Sequence, residues 1–231
     1  MLKINKVNQF YAQSHTLWDL SLEIKSAKCT CIMGRNGVGK TTLTKVIMGL
    51  LPIKIGEILY EGHDISKLGS DKRAGLGIGY VPQGREIFSN LSVKENLEIG
   101  LLGNRNHLKK VPDKIYELFP VLKEMLKRKG GDLSGGQQQQ LAIARALCLE
   151  PKLLILDEPS EGIQPNIVQQ IGGVIDYLTK EEQLTVVLVE QKLPFARKHG
   201  DKFYIIDRGK SVANGEITEL SDDLIKQFLS V

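Results

Sequence analysis

The chain has 231 residues, of which 42% are hydrophobic and 25% charged, as expected for a globular protein with one large domain. Its formal net charge is +4, from 31 Lys and Arg against 27 Asp and Glu. The basic residues are scattered, which does not favour nucleic-acid binding. No apolar run approaches the roughly 20 residues that span a bilayer, and the N-terminus lacks the apolar core of a signal peptide. We therefore expect a cytoplasmic protein that reaches a membrane only through a partner.

The N-terminal residues 1–28 alternate apolar and polar side chains, which predicts two strands interrupted by residues 9–15. Tyr11 lies in that interruption. A tyrosine upstream of a phosphate-binding loop can stack on a nucleotide base, because every base has a flat π-face. A place in the core or on the strand surface is the other interpretation of this side chain.

A phosphate-loop pattern follows, with two glycines separated by four residues and then Lys and Thr: Gly34-Arg35-Asn36-Gly37-Val38-Gly39-Lys40-Thr41. Glycines at positive φ let successive backbone N–H groups point at a polyphosphate, and the helix that follows offers its free N-terminal amides. In this pattern Lys40 reaches the terminal phosphates and the Thr41 hydroxyl ligates Mg²⁺. We place the nucleotide contacts at residues 34–41 and at Thr42.

The flanking sequence supports this interpretation over an ordinary glycine-rich turn. Residues 29–33 predict a buried strand, and residues 42–48 predict an amphipathic helix that Gly49 ends. A strand, a glycine loop and a helix are the context that the motif requires.

Further along, residues 56–62 predict a strand, residues 63–76 a polar loop with a short helix, and residues 77–83 a core strand that Pro82 stops. Gln83 therefore sits at the C-terminal end of a strand, where open α/β sheets place ligands. Its amide oxygen can ligate Mg²⁺ or orient a water molecule, and an ordinary loop position is the alternative.

Residues 86–152 carry helical spacing and no strand signals, which predicts a helical insertion in an α/β core. Near its end, Ser134 is a good N-cap for a helix over residues 138–147. Gly135 and Gly136 leave the first amides of that helix uncovered, so this is a second anion-binding helix start.

A buried strand at residues 153–156 delivers Asp157 and Glu158 at its tip. In phosphate-loop proteins an Asp in this place helps to hold Mg²⁺, and an adjacent Glu can polarise the attacking water. Residues 166–182 then predict a helix, and residues 184–189 another buried strand with Glu190 and Gln191 at its tip. A short helix, a hairpin around residues 207–210 and a helix from about residue 218 complete the chain.

In this order the motifs resemble those of the ATP-binding subunit of an ABC transporter, and the likeness runs from end to end. The phosphate loop matches, Tyr11 matches the base-stacking aromatic, and Gln83 matches the glutamine loop. Asp157 and Glu158 match the Mg²⁺ ligand and the catalytic base. The family's signature sequence is matched by Leu133-Ser134-Gly135-Gly136-Gln137.

The resemblance implies an α/β P-loop NTPase (RecA-like) core, residues 1–85 and 153–231, with an N-terminal antiparallel β subdomain and an inserted α-helical subdomain, residues 86–152. It implies that ATP and Mg²⁺ are bound and that two ATPase domains pack head to tail, the signature of one covering the ATP of the other. Two membrane permease subunits and, indirectly, a solute-binding protein are the implied partners, and nucleic acid is not. The implied location is the cytoplasmic face of the membrane.

Two positions depart from the usual family pattern. The switch histidine would fall at Gln191, which can hydrogen-bond a γ-phosphate but cannot carry a positive charge, so we predict slow hydrolysis or reliance on Glu158. The aspartate that contacts the opposite monomer appears as Gln164. Both changes are similar to the branch that imports branched-chain amino acids and urea. The sequence of residues 29–31, 34–39 and 84–88 looks most like that of the second ATPase subunit of urea importers. Branched-chain amino acids are the alternative transported solute.

Two other classes compete with an importer subunit. A soluble ABC-type ATPase for translation or DNA repair usually fuses two such domains or inserts a long coiled coil. A phosphate-loop kinase gives no role to residues 133–137. For a permease contact, Arg85, Ile87 and Phe88 are the candidate rim of a groove, and local core packing is the alternative for Ile87 and Phe88.

Overall fold

The computed structural model describes residues 1–104 and 106–229. The first part of the chain forms an antiparallel sheet from β1 (Leu2–Tyr11), β2 (Ser14–Ile24), β4 (Ile55–Tyr60) and β5 (His63–Asp64), in the order β2-β1-β4-β5. The predicted interruption at residues 9–15 is wrong, because both strands continue into it and leave only a turn at residues 12–13. Phe10 pairs with His15 across the hairpin, and their rings stack with centroids 4.0 Å apart, which extends the pairing.

The centre of the molecule is a second sheet, whose strands are β3 (Cys29–Met33), β6 (Ile78–Val81), β7 (Leu153–Asp157), β8 (Thr185–Val189), β9 (Lys202–Asp207) and β10 (Lys210–Glu216). The strand order is β10-β9-β3-β8-β7-β6. All neighbours run parallel except β10 and β9, which form an antiparallel hairpin. The strands predicted around the phosphate loop, Gln83, Asp157 and Gln191 therefore all belong to one sheet.

The segment between β6 and β7 is helical, as predicted: α3 (Val93–Leu101), α4 (Asp113–Leu118), α5 (Pro120–Glu124) and α6 (Gly135–Leu147). Pro120 occupies the first turn of α5 and separates it from α4, since proline has no N–H to continue the earlier helix. Within its described residues this segment contains no strand, only an isolated bridge between Ser92 and Lys129.

The remaining helices are α1 (Lys40–Met48), α2 (Ser70–Gly75), α7 (Pro165–Lys180), α8 (Leu193–His199) and α9 (Asp222–Phe228). The last helix starts later than expected because Ile217–Glu219 form a separate 3₁₀ turn. Ser221 then caps α9, its hydroxyl accepting a hydrogen bond from Leu224 N at 3.3 Å. No helix within residues 1–104 and 106–229 is both long and apolar enough to cross a membrane.

Two hydrophobic cores sandwich the central sheet, because its strands alternate side chains between the two faces. On β7, Leu154 and Leu156 pack with α6 and α7, whereas Leu153 and Ile155 face the N-terminal sheet and α1. All four side chains are fully buried. Two-sided burial explains the continuous aliphatic run before Asp157, and it holds the tip of β7 rigidly beside the tips of its neighbours.

Candidate functional site

The phosphate loop, residues 34–41, connects β3 to α1 through backbone that only glycine adopts easily. Gly34 has φ +150°, and a Cβ there would lie 2.3 Å from the Ile206 carbonyl oxygen. Gly39, at φ +107°, is the N-cap of α1, and no side chain caps that helix start. The first amides of α1 are therefore available to a ligand, at the end of the helix where the dipole favours an anion.

Lys40 lies across this loop. Its Nζ donates hydrogen bonds to the carbonyl oxygens of Gly34, at 2.8 Å, and Arg35, at 2.9 Å, and lies 3.7 Å from Glu158 Oε1. Burial lowers the pKa of Lys40, and the neighbouring Glu158 carboxylate opposes that shift. A buried ammonium held by neutral carbonyls gains a better acceptor when phosphate oxygens replace them.

Asp157 ends β7 beneath α1. Its Oδ2 accepts a hydrogen bond from the Thr44 hydroxyl at 3.0 Å. Its Oδ1 is buried, and no described residue donates a hydrogen bond to it. Burial raises the pKa of Asp157, and the hydrogen bond from Thr44 opposes the rise. A buried carboxylate oxygen without a donor is an oxygen that a cation, or water bound to one, would satisfy.

Glu158 is the meeting point of the candidate catalytic side chains. It has φ +52°, an uncommon backbone conformation for a residue other than glycine. Its Oε2 accepts a hydrogen bond from Gln83 Nε2 at 3.2 Å, and its Oε1 accepts one from Gln191 Nε2. Gln83 Nε2 also donates to Glu161 Oε2 at 2.9 Å, a partner that the sequence did not indicate. Glu158 is thus oriented by two amides and by the ammonium of Lys40.

One cavity gathers many of the predicted residues. Thr16, on β2, also lines it, although no sequence motif indicates that residue. Tyr11 is 46% exposed and is not among the lining residues, so base stacking by Tyr11 stays a prediction. The lining residues are Thr16, Asn36, Gly37, Gly39, Lys40, Thr41, Thr42, Gln83 and Glu158.

The signature, residues 133–137, does not line this cavity. Leu133 is buried in the core, and Ser134 caps α6 in a reciprocal pair with Gln137. The Ser134 hydroxyl accepts from Gln137 N at 3.3 Å, and Ser134 N donates to Gln137 Oε1 at 2.9 Å. The neighbours of Gly135 and Gly136 include Arg85 and Ile167, side chains of the same chain.

The side chains of the three candidate rim residues after Gln83 lie in three different environments. Phe88 is 46% exposed and lines a groove between the central sheet and the helical segment, where the Arg145 guanidinium lies 5.0 Å from its ring centroid. Ile87 packs on the core, and Gly130 leaves room for its Cδ1. Arg85 does not line the groove and contacts α6 instead, where its Nη1 donates to Gln138 Oε1 at 3.4 Å. Only Phe88 is placed at the groove.

The chain has clear similarity to known proteins. The sequence model of the ABC transporter family matches residues 17–161. The high-affinity branched-chain amino acid transport ATP-binding protein BraG of Pseudomonas aeruginosa is 42% identical over 213 residues, 92% of this chain and 91% of that protein. The probable branched-chain amino acid transport ATP-binding protein LivF of Archaeoglobus fulgidus is 38% identical, over 95% of this chain and 94% of its own length.

Among solved structures, a dimeric ATP-binding cassette in a post-hydrolysis state, bound to ADP and phosphate, superposes with a TM-score of 0.84 at 25% identity. The match covers 94% of this chain and 99% of that one. The predicted fold class, an α/β nucleotide-binding core with an antiparallel β subdomain and a helical segment, is confirmed.

Proposed function

Because the chain belongs to the ABC transporter family and is an ATPase of that family, we propose that it drives an importer of branched-chain amino acids. Two relatives that align over nearly its whole length are ATP-binding proteins of branched-chain amino acid transport. This similarity carries the proposal of the solute. The convergence of Lys40, Gln83 and Gln191 on Glu158, beside the phosphate loop, supports the proposal of the site.

In the proposed site, ATP phosphates lie on the amides of residues 34–42 at the start of α1. Lys40 exchanges the carbonyls of Gly34 and Arg35 for phosphate oxygens, and Tyr11 stacks on the base. Since Lys40 is already buried and restrained by its present hydrogen bonds, little side-chain entropy is lost in this exchange.

Mg²⁺ fits the donor set beside Asp157. Its unsatisfied buried Oδ1, the Thr41 hydroxyl and the Gln83 amide oxygen are the hard oxygen ligands that this ion takes. The ion would neutralise charge on the phosphate oxygens. Asp157 would then be held ionised by the cation, in spite of its burial.

Hydrolysis is assigned to Glu158 as the base that orients and deprotonates the attacking water. Gln191 serves as a neutral donor, first to Glu158 and then to the γ-phosphate. A glutamine cannot supply the positive charge of a histidine, so the site relies chiefly on Glu158 and Lys40. We place this chemistry on a nucleotide-binding core of residues 1–85 and 153–231.

The signature on the helical subdomain, residues 86–152, is proposed to close the ATP site of a second ATPase subunit. Ser134, Gly135 and Gly136 present a helix start that does not line the cavity of their own chain. A head-to-tail pair would bring it to the partner's γ-phosphate, so that ATP holds the pair together and hydrolysis releases it.

The groove at Phe88 is the proposed contact with the cytoplasmic helix of a permease. The complex is proposed to contain two permease subunits, which hold the ATPase at the cytoplasmic face of the membrane, and a solute-binding protein acts on it indirectly. The groove lies between the core and the signature helix, and its lining includes Leu50, Tyr80, Phe88 and Ile99. Leu50 and Phe88 are 51% and 46% exposed, an amount of apolar surface that a partner helix would cover.

Urea is the second candidate solute, favoured by the resemblance of the sequence at residues 29–31, 34–39 and 84–88 to the second ATPase subunit of urea importers. The two proposals are separated by uptake of labelled leucine and labelled urea in cells that lack this gene. We expect leucine uptake to be lost, restored by the wild-type chain and not restored by Lys40→Ala. Loss of urea uptake alone would favour the second candidate, and unchanged uptake of both would exclude the importer proposal for these solutes.

A further inference from the structure

Glu190 is a buried carboxylate to which the site described above gives no role. It follows β8 directly and is 2% exposed. An ionised side chain in such a place is tolerated only when hydrogen bonds or counter-charges compensate for the water it has lost. Both of its oxygens are compensated, and the donors come from two different loops.

One oxygen, Oε1, accepts hydrogen bonds from the backbone amides of Gln191, at 2.8 Å, and Lys192, at 2.9 Å. The other oxygen, Oε2, accepts from the hydroxyl of Ser160 at 2.7 Å. Ser160 is fully buried two residues after Glu158, and its carbonyl accepts from Lys192 Nζ at 2.7 Å. The carboxylate therefore ties the loop that carries Gln191 to the loop that carries Glu158.

This tie acts where the two candidate catalytic side chains meet. Glu158 N donates to Val189 O at 2.9 Å, and Gln191 Nε2 donates to Glu158 Oε1. Without the Glu190 carboxylate, the amides at 191 and 192 would lose their acceptor, and of the contacts between the two loops described above only the Lys192 Nζ bond to Ser160 O would still hold the backbone from which the Gln191 side chain extends.

We propose that Glu190 is a positioning residue for ATP hydrolysis, which holds Gln191 at the distance where its amide orients Glu158. The proposal rests on the proposed role of Glu158. Glu190 does not line the nucleotide cavity, and its oxygens are engaged by protein donors, so it acts through Gln191 rather than on the substrate.

The hydrogen-bond pattern indicates that the role of Glu190 requires the shape and hydrogen bonds of its side chain, not its negative charge. Both backbone amides bind the same oxygen, so the carbonyl oxygen of a glutamine can accept both of them. The glutamine NH₂ group would then donate to Ser160 Oγ, since a hydroxyl also accepts. Glu190→Gln should therefore keep most of the wild-type kcat, whereas Glu190→Ala removes all three hydrogen bonds.

The first measurement is steady-state ATPase of the full chain, with ATP affinity measured separately. We expect Glu190→Ala to lower kcat about 10- to 100-fold, the size of effect that misplaced catalytic groups produce, while ATP affinity changes little. Glu190→Gln should rescue most of the loss. A Glu190→Gln rate as low as that of Glu190→Ala, or a loss confined to ATP affinity, would overturn the proposal.

The second measurement is a double-mutant cycle with Gln191→Ala. If Glu190 acts through Gln191, the double variant is no slower than Gln191→Ala alone. A loss of kcat in the double variant equal to the product of the two single-variant losses would overturn the proposal. Should Glu190→Ala fail to fold, Ser160→Ala removes the Oε2 tie and enters the same cycle. We expect the kcat of Ser160→Ala to be lower than that of the wild type. The double variant of Ser160→Ala and Gln191→Ala should be no slower than Gln191→Ala alone.

Asp201→Asn is the matched control, because Asp201 also accepts a backbone amide hydrogen bond, from Cys29 N at 2.8 Å at the opposite end of β3. Its kcat per folded molecule should equal that of the wild type. Lys40→Ala, run in parallel, keeps the two proposals apart. An ATPase rate that survives Lys40→Ala contradicts the proposed site itself. If the rate depends on Lys40 but the kcat losses of the Glu190 and Gln191 variants multiply in the double variant, only the role of Glu190 is contradicted.

Discussion

Two helices of this molecule begin after glycine-rich turns, and they differ in what surrounds their first amides. At the start of α1 the N-cap is Gly39, and no side chain covers the helix end. At the start of α6 the N-cap is Ser134, which exchanges hydrogen bonds with Gln137. The first turn of α1 carries a buried lysine, whereas the first turn of α6 carries only neutral residues.

The surroundings widen this difference. The start of α1 lies beside Asp157 and Glu158, because β7 delivers both carboxylates to the same edge of the sheet that β3 reaches. The start of α6 has Arg85 and Ile167 among its neighbours. Both helix starts can recognise an anion, but only the first has the groups for metal binding and water activation. This difference is consistent with the proposal that the second helix start completes a site on another molecule.

The largest expected effect comes from removing the cation at the first helix start. Lys40→Ala should lower ATPase activity by at least about 100-fold, the loss typical of a group that stabilises transition-state charge. Lys45→Ala, in the last turn of the same helix, is the control and should leave the rate near wild type. A phosphate-release assay on both variants checks this, and equal rates would contradict the role of Lys40.

The second helix start is probed by Ser134→Ala, with Ser92→Ala as its control. Both serines cap helices through the same reciprocal pattern, Ser92 with Glu95 on α3. Each substitution should cost about 1 kcal/mol of stability. In a Glu158→Gln background, which should retain ATP, we expect gel filtration with ATP and Mg²⁺ to show a dimer, and only Ser134→Ala should prevent it.

Equal dimer formation by both serine variants would mean that Ser134 is a helix cap and nothing more. A failure of the Glu158→Gln chain to form a dimer with ATP, alone or mixed with a sister ATPase, would contradict closure by a second molecule. The thermal unfolding of each variant, measured without ATP, separates the loss of the cap from the loss of the interface.

The smallest expected effect concerns the carboxylate beside the first helix start. Burial raises the pKa of Asp157 above its ordinary value of 3.8, so between these two pKa values the folded protein binds a proton that the unfolded chain does not. Stability contributed by the proton is lost as pH rises through that window, and ionised Asp157 is a cost at neutral pH. Asp157→Asn should therefore raise the melting temperature by a few degrees at pH 7.

The gain should shrink as the pH is lowered through the raised pKa of wild-type Asp157, because that side chain then also becomes neutral. Mg²⁺ with ATP should reverse the order, because the ligand stabilises the chain that keeps its carboxylate. Asp201→Asn, which removes a carboxylate hydrogen-bonded to Cys29 N, should not raise the melting temperature. A melting temperature of Asp157→Asn at or below wild type at pH 7 would show that the buried charge is fully compensated.

Most of the fold was predictable because its signals are local. The aliphatic run before Asp157 and the helical spacing after Gln83 reflect burial, which each strand or helix reports in its own sequence. The sequence pattern predicts the hairpin of β1 and β2 incorrectly, because residues 9–15 are mostly polar or aromatic. Outside the turn at residues 12–13 they are nevertheless extended, and the stacking of Phe10 on His15 stabilises the pairing. That stabilisation comes from a cross-strand pair, which no local pattern reveals.

The sequence by itself determined the phosphate loop, the two carboxylates at the end of β7 and the capped signature helix, since each motif is defined by residues a few positions apart. Only the tertiary structure decided that Gln83, Gln191 and Lys40 converge on Glu158, that Thr16 joins the cavity, and that Glu190 ties two loops together. Those contacts join residues thirty or more positions apart in most cases, or depend on where a buried oxygen points. The parallel sheet brings them together, because it places the ends of its strands at one edge.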